Sequence, residues 1–527
     1  MSAINVNAAI PIIDLFAGPG GLGEGFAAFT HHGQAPFQVA LSIEKDPIAC
    51  ATLSLRKYFR RFESAPPEFD AYFSGEISLS QLYAAYPTQA QYAQDTTWEA
   101  ELGKEPAALV ASRVRRAISD RRDWVLLGGP PCQAYSIAGR SRMRNNKDFA
   151  KDERHTLYRE YLRIVADHEP AIFVMENVKG LLTSTHDGGR IVSKILDDLS
   201  SPGKDSENER KRSLHYRLYA LDRRQAVLPW MEEGPSDGEE FLIKAESFGI
   251  PQNRHRIFIV GVRSDVAGRP RVLNPKPEIS VESVLSDLPQ IRSALSREED
   301  SLNNWREAIA DIQSQPWFVR MAKSDSSSIH DEMKATIKKM TKANLDIGAR
   351  HKKHLAKPDK LASWYRSKAS GITLHESRSH MRDDLHRYLF CACFAKIHGR
   401  SPKLRDFPKE LFPTHRNITA DSERNAFEDR FRVQLADQPA TTITSHVSKD
   451  GHYYIHHDPM QCRSLTVREA ARLQTFPDNY FFEGGRTEQY RQVGNAVPPL
   501  LAREIAGVVF DLLRQANHSG ERLSAIG

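Results

Sequence analysis

Short apolar runs of strand length, separated by helical sequence, fill the first half of this chain and restrict its fold more than any other feature. They are residues 11–16 (PIIDLF), 38–44 (QVALSIE), 124–128 (WVLLG), 171–175 (AIFVM) and 256–262 (RIFIVGV). Continuous apolar strands of this length suit a sheet buried on both faces. Between them lie helical stretches such as 157–168. Strands that alternate with helices predict an α/β fold with a mostly parallel sheet. At 527 residues the chain exceeds a single core, so two or three domains are expected.

After about residue 290 the sequence becomes polar, basic and poorly periodic. Residues 320–416 hold 22 Lys and Arg against 10 Asp and Glu, while the whole chain carries only +6, so the remainder is net acidic. Such a segment is either a solvated surface or a nucleic-acid footprint. A helix is expected over 382–398, with Leu385, Leu389, Phe390, Phe394 and Ile397 as its apolar positions. Residues 399–413, with three Pro, read as loop and turn. Thr466-Val-Arg-Glu469 is a capping box opening a helix through Gln474, and Pro477 stops it. A last helix is expected over 500–513, with Leu501, Ile505, Val508, Val509 and Leu512 on one face. The expected domains are therefore 1–290, 291–460 and a returning segment 461–527.

The five cysteines, at 50, 132, 391, 393 and 462, form no CxxC pair. A disulfide framework and a metal site are not expected, and a reducing cytoplasm fits. Cys391 and Cys393 fall in the apolar helix, where core packing explains them. No apolar run reaches the roughly 20 residues of a membrane helix, and no signal peptide is expected.

Two turns carry chemistry. Asp14-Leu-Phe-Ala-Gly18-Pro-Gly20-Gly-Leu-Gly23 follows the first strand, and Glu44 ends the second. Glycines let backbone approach a nucleotide-like ligand, and an acid about 20 residues on can bind ribose hydroxyls. Alone, this pattern suits a dinucleotide oxidoreductase as well. Gly128-Gly-Pro-Pro-Cys132-Gln-Ala-Tyr-Ser136 places a cysteine in a stiff turn beyond a strand, at the edge where open α/β sheets bind ligands.

Seven motifs in order resemble the C5-cytosine-specific DNA methyltransferase family: Asp14–Gly21 as DLFAGPGG, Ile43–Asp46 as IEKD, Pro130–Ser136 as PPCQAYS, Glu176-Asn-Val178, Gln252-Asn-Arg254-His-Arg256, residues 463–477 with LTVREAARLQTFP, and Gly494-Asn495-Ala-Val-Pro-Pro499. The resemblance covers nearly the whole chain except its middle domain. It implies a Rossmann-like S-adenosylmethionine-dependent sheet and a smaller, mostly irregular target recognition domain.

By that resemblance Cys132 attacks carbon 6 of a cytosine flipped out of double-stranded DNA. Glu176 holds the N3 and amino edge, and Arg254 and Arg256 contact the base or support the acid. Phe16, Gly18, Gly20, Glu44, Lys45, Pro130, Leu157 and Asn495 match cofactor contacts. Gly75-Glu76-Ile77 resembles the third-strand Gly-Asp-Ile, which would make Glu76 an adenine contact, though an unusually long stretch separates it from Trp124. Gln133, Ser136, Arg140 and Arg154 match a basic loop that closes over the DNA. Lys403 and Arg405, in the loop after the middle helix, are candidate groove readers. A monomer of the bacterial cytoplasm, acting at the nucleoid beside a cognate restriction endonuclease, is the expected setting. A branch that methylates transfer RNA shares the motifs; the large basic middle domain favours DNA.

Overall fold

The computed structural model describes residues 9–130, 153–186, 189–204, 206–222, 238–353, 356–366, 368, 371–412, 430–449 and 451–524. The chain forms two compact units. The first comprises Met1–Phe62, Tyr86–Pro277 and Ala496–Gly527; the second comprises Glu63–Ala85 and Glu278–Asn495.

The first unit is built on strands β1 (Ile10–Leu15), β2 (Phe37–Glu44), β3 (Thr97–Glu99), β4 (Val125–Gly128), β5 (Ile172–Val178), β6 (Tyr216–Tyr219), β7 (Leu242–Lys244) and β8 (His255–Arg263). Their order is β3-β2-β1-β4-β5-β8-β6, and β7 also pairs with β8. Strands β1 to β5 are mutually parallel. Strand β8 runs antiparallel to β5, β6 and β7. The carboxyl ends of β1, β2, β4 and β5 therefore share one edge with the amino end of β8. Between β1 and β4 the strand order reverses, and in such sheets that point opens a ligand crevice.

Strands β1, β2, β4, β5 and β8 form where apolar runs were expected, whereas β3, β6 and β7 were not expected. Strand β5 continues to Val178, so Glu176 pairs opposite Phe258 and Asn177 opposite Ile257. Ile13, Leu15, Leu126, Phe173, Met175, Ile257 and Ile259 are buried in one cluster. Each such side chain contributes about 1.5–3 kcal/mol by burial.

The unit also contains helices α1 (Gly21–Ala28), α2 (Pro47–Phe59), α3 (Ala107–Ile118), α4 (Glu153–His168), α5 (Ile191–Ser200) and α6 (Pro499–Ser524). Asp46 caps α2 by accepting from the Ile48 and Ala49 N–H groups. A Cβ on Gly21 would lie 2.2 Å from the Val497 carbonyl oxygen, so α1 and the chain entering α6 meet backbone to backbone.

The second unit holds its own core of Trp305, Ile309, Ile329, Met333, Ile337, Leu385, Leu389 and Phe390, among others. It contains more regular helix than its weak periodicity announced. The helix Arg382–His398 is buried continuously from Asp384 to Ala395. A helix covered all round has no polar face to give a 3.6-residue contrast. Cys391 and Cys393 are fully buried within it, as expected for core thiols, whereas Ile397 is exposed. The capping box opens the helix Val467–Leu473, with Gln474 as its C-cap.

The unit boundaries differ from 290 and 460. Val281 and Glu282 donate backbone hydrogen bonds to Gln438 and Ala436, which ties the chain from 278 onward into the second unit. Arg472 joins Asp287 and Asp478 in a buried ion network and keeps 461–495 there too. Among the described residues no helix is long and apolar enough to cross a membrane.

Candidate active site

Beyond β1 the chain turns sharply. Phe16 adopts φ 54° and Gly18 φ 56°, both in the left-handed region. A non-glycine residue there costs about 1–2 kcal/mol, so the turn is held by its partners. The Ala17 N–H donates to the Ile43 carbonyl at 3.2 Å. The Gly18 N–H donates to Glu44 Oε2 at 2.9 Å. Glu44 Oε1 accepts from the Lys45 and Asp46 N–H groups at 2.9 and 3.0 Å. One carboxylate thus links two strand ends. A Cβ on Gly18 would meet nothing within 4 Å, so this side of the turn is open.

The third strand corrects one expectation. It is Thr97–Glu99, paired with β2, and does not contain Glu76. Glu76 follows the helix Pro67–Ser74 in the second unit, where its carboxylate accepts from the Ser74 hydroxyl at 3.0 Å. The acid just past the third strand is Glu101, 3.7 Å from Lys45 Nζ and 3.1 Å from Lys104 Nζ. Sequence reasoning missed it because a three-residue strand with polar ends has no apolar run.

At the centre of the edge, β4 and β5 deliver a second cluster. Asn177 Nδ2 donates to the Pro130 carbonyl at 3.1 Å, while its Oδ1 accepts from the Val178 N–H at 2.9 Å. The loop leaving β4 is thereby fixed to β5. A Cβ on Gly129 would stand 3.0 Å from Glu176 Oε2, so the loop backbone passes close over that carboxyl. Arg256 Nε lies 3.1 Å from Glu176 Oε1, with the two side chains 17% and 15% exposed. Burial pushes the Glu176 carboxyl up, and the Arg256 and Arg254 charges pull the other way without cancelling it. Burial likewise pushes Arg256 down, against the pull of Glu176. The Arg254 side chain is buried and its backbone bonds to Gln252 and Ala245. His255 Nε2 meets Glu246 at 2.7 Å on the far side of the strand start.

Leu157 is a buried core residue of α4. Asn495 is the last residue of the helix Arg486–Asn495 in the second unit and is exposed. Lys403 and Arg405 lie in the turn after the Gly399 cap, where the Lys403 N–H donates to Asp406 at 2.7 Å and Arg405 is exposed. Arg154 falls in the first turn of α4. Cys132, Gln133, Ser136 and Arg140 lie outside the described residues. Among the described residues no cluster of His, Cys, Asp and Glu could hold a metal ion.

The structure thus joins Gly18 to Glu44, Pro130 to Asn177, and Glu176 to Arg256, along one edge of a Rossmann-like sheet. That is the architecture of an S-adenosylmethionine-dependent methyltransferase. A family model for C-5 cytosine-specific DNA methylase matches residues 97–206 and 239–511. The type II methyltransferase M.Bpa9945I of Bacillus paralicheniformis is 30% identical, over 95% of this chain and 99% of its own. The type II methyltransferase M.AgeI of Thalassovita gelatinovora is 26% identical, over 94% and 98%. A putative DNA modification methyltransferase of an Escherichia coli prophage shares the fold, with TM-score 0.50 at 18% identity over 96% of this chain and 100% of its own. The chain belongs to the C-5 cytosine-specific DNA methylase family and is a DNA cytosine-5 methyltransferase.

Proposed function

We propose that this enzyme transfers a methyl group from S-adenosylmethionine to carbon 5 of a cytosine flipped from a specific double-stranded sequence, through a transient bond between Cys132 and carbon 6. The observation that carries the reading is the Glu176–Arg256 pair, buried at the sheet edge directly under the loop that leads to Cys132.

Two features of the edge fit the cofactor. The open face of the Gly18 turn leaves room that a side chain would fill. The Glu44 carboxylate is fixed at the adjacent strand end, and Oε2, which accepts one hydrogen bond, retains acceptor capacity for a ribose hydroxyl. Phe16, Gly18, Gly20, Glu44, Lys45, Pro130 and Leu157 would hold or back the cofactor, and Glu101 replaces Glu76 as the acid beyond the third strand. When bound, S-adenosylmethionine supplies an electrophilic methyl group for carbon 5.

Cys132, as thiolate, forms a bond to carbon 6 and pushes the electron pair of the 5,6 double bond toward carbon 5. Glu176 in its protonated form donates to N3 and withdraws electron density as that bond forms. Arg256 keeps the Glu176 carboxyl oriented, and its charge with that of Arg254 stabilises charge building on the pyrimidine. Once carbon 5 is methylated, loss of its proton to a base restores the double bond and expels the Cys132 sulfur. Gln133, Ser136, Arg140 and Arg154 contact the DNA around the flipped base, and Lys403 and Arg405 read the groove. The enzyme works as a monomer in the bacterial cytoplasm, at the nucleoid, with a restriction endonuclease of the same specificity as functional partner.

Expression in a host without cytosine methylation, followed by base-resolution mapping, tests the reading. A single methylated sequence motif is expected, and none with Cys132→Ala. Methylated transfer RNA with unmodified DNA, or wild-type levels in the Cys132→Ala strain, would refute it.

A further inference from the structure

The stretch between β2 and β3 contains an insertion whose role the reaction does not explain. Residues 63–85 leave the sheet and join the second unit. There the helix Pro67–Ser74 buries Phe69, Tyr72 and Phe73. It packs beside a two-stranded hairpin of β9 (Gly348–Lys353) and β10 (Gly371–Glu376).

The contacts are specific. The Phe73 ring stacks on Phe481 with centroids 5.1 Å apart and planes 14° from parallel. The Tyr72 hydroxyl donates to Glu483 at 2.6 Å. On β9, the Arg350 guanidinium lies 4.9 Å from the Phe481 ring and 5.6 Å from that of Tyr72. His351 Nε2 lies 3.6 Å from Asp70 and its ring 5.8 Å from Phe73. Strand β10 is fastened from the core. Buried Arg468 donates to the Thr373 carbonyl at 2.8 Å and to its hydroxyl at 2.6 Å, and His375 bonds to Thr466 and Pro289. An isolated two-stranded hairpin is marginal in water; this one is clamped on both strands.

What the clamp presents is charge. Arg350, Lys352 and Lys353 are all exposed on β9. Residues 350–360 hold five Lys or Arg against one acid, Asp359. The exposed side chains of the strand are cationic, and a cluster of such charges suits contact with backbone phosphates.

We propose that residues 63–85 are a brace for a phosphate-binding hairpin, on which Arg350, Lys352 and Lys353 grip the sugar–phosphate backbone of duplex DNA. The proposal rests on the DNA-methylating function above and adds the surface that holds the duplex. Because the brace fixes the strand beforehand, binding loses less conformational freedom than a mobile basic loop would.

Fluorescence anisotropy across a KCl series, on the mapped target duplex and on a scrambled one, tests both parts. Lys352→Ala/Lys353→Ala is expected to weaken both duplexes by the same factor. Its log–log salt slope should be shallower by about 1.8, at about 0.9 per phosphate contact. Phe73→Ala removes no charge, yet is expected to lower affinity and flatten the slope with the melting temperature of the whole protein followed alongside. If that variant fails to fold, Tyr72→Phe, which deletes only the hydroxyl, carries the same test. Unchanged affinity and slope in the double lysine variant would overturn the hairpin's role. A normal slope in the folded brace variant would overturn the brace. A wild-type enzyme that binds no duplex at any salt would instead overturn the DNA reading beneath both.

Discussion

Glu176 is held between opposing pressures. Burial favours its neutral form, and the guanidinium of Arg256 at 3.1 Å favours the charged one. Burial wins, so the carboxyl keeps its proton to higher pH than an ordinary glutamate. In the proposed mechanism the donor to the cytosine N3 needs that proton, whereas Cys132 needs to lose its own. The rate should therefore climb as the thiol ionises and fall as pH rises through the raised Glu176 value. Glu176→Gln retains an N–H donor but cannot transfer a proton. Its kcat is expected to drop about 10²–10⁴-fold, with loss of the limb that Glu176 ionisation imposes. Pre-steady-state methyl transfer between pH 5.5 and 9 measures this. A glutamine variant with the wild-type profile would remove Glu176 from the proton inventory. Asp14 is another buried acid near the edge, pushed up to about 7 by burial, with Lys57 pushed down to about 7. It faces Gly23 inside the β1–α1 junction, and the Gly23 backbone hydrogen-bonds to it.

At the level of elements, α1 and α2 are joined by Glu24, which is buried and lies 2.6 Å from Arg56 and 2.7 Å from Arg60. Burial alone would raise its pKa; the two arginines outweigh burial and hold it at about 2, against 4.5 for a free glutamate. An acid with a depressed folded value stabilises the fold above its unfolded value and loses that contribution as pH falls toward the folded one. The window is thus pH 5 down to 2, and the amount about 3 kcal/mol. Glu24→Gln is expected to lower the melting temperature at pH 7 and to flatten its fall over that window, as calorimetry would read. An equal acid slope in both proteins would place the sensitivity elsewhere. The elements that sequence made legible are those with contrast: β1, β4 and β8 as apolar runs, and the capping box at Thr466. Less legible were β3, only three residues long, and the end of β5, where the polar Glu176 and Asn177 stay in the strand because β8 pairs with them. Within the site, Glu44, Glu176 and the arginines could be seen from motif and spacing. Asn177 as the anchor of Pro130, and Glu101 beyond β3, depend on pairings between distant strands that no local pattern records.

Across the whole molecule the charge is divided, and the division has a kinetic consequence. The surplus of twelve cations over 320–416 lies entirely in the second unit, whose other residues are net acidic, so the positive charge is concentrated in that one segment. The boundary at 278 and the capture of 63–85 were not legible, because they are set by backbone bonds at Val281 and by aromatic stacking at Phe73, not by a change in composition. Phosphate contacts release counterions and weaken steeply with salt, whereas the Gly18–Glu44 junction is a set of short hydrogen bonds that salt scarcely screens. Raising KCl from 50 to 200 mM should therefore raise the KM for DNA at least tenfold, the amount expected from two or more phosphate contacts. The KM for S-adenosylmethionine and kcat at saturating DNA should change less than twofold. Steady-state methylation with both substrates varied separates the three constants. A salt response that fell on kcat, or on the cofactor, would mean that the basic segment 320–416 is not what holds the duplex during turnover.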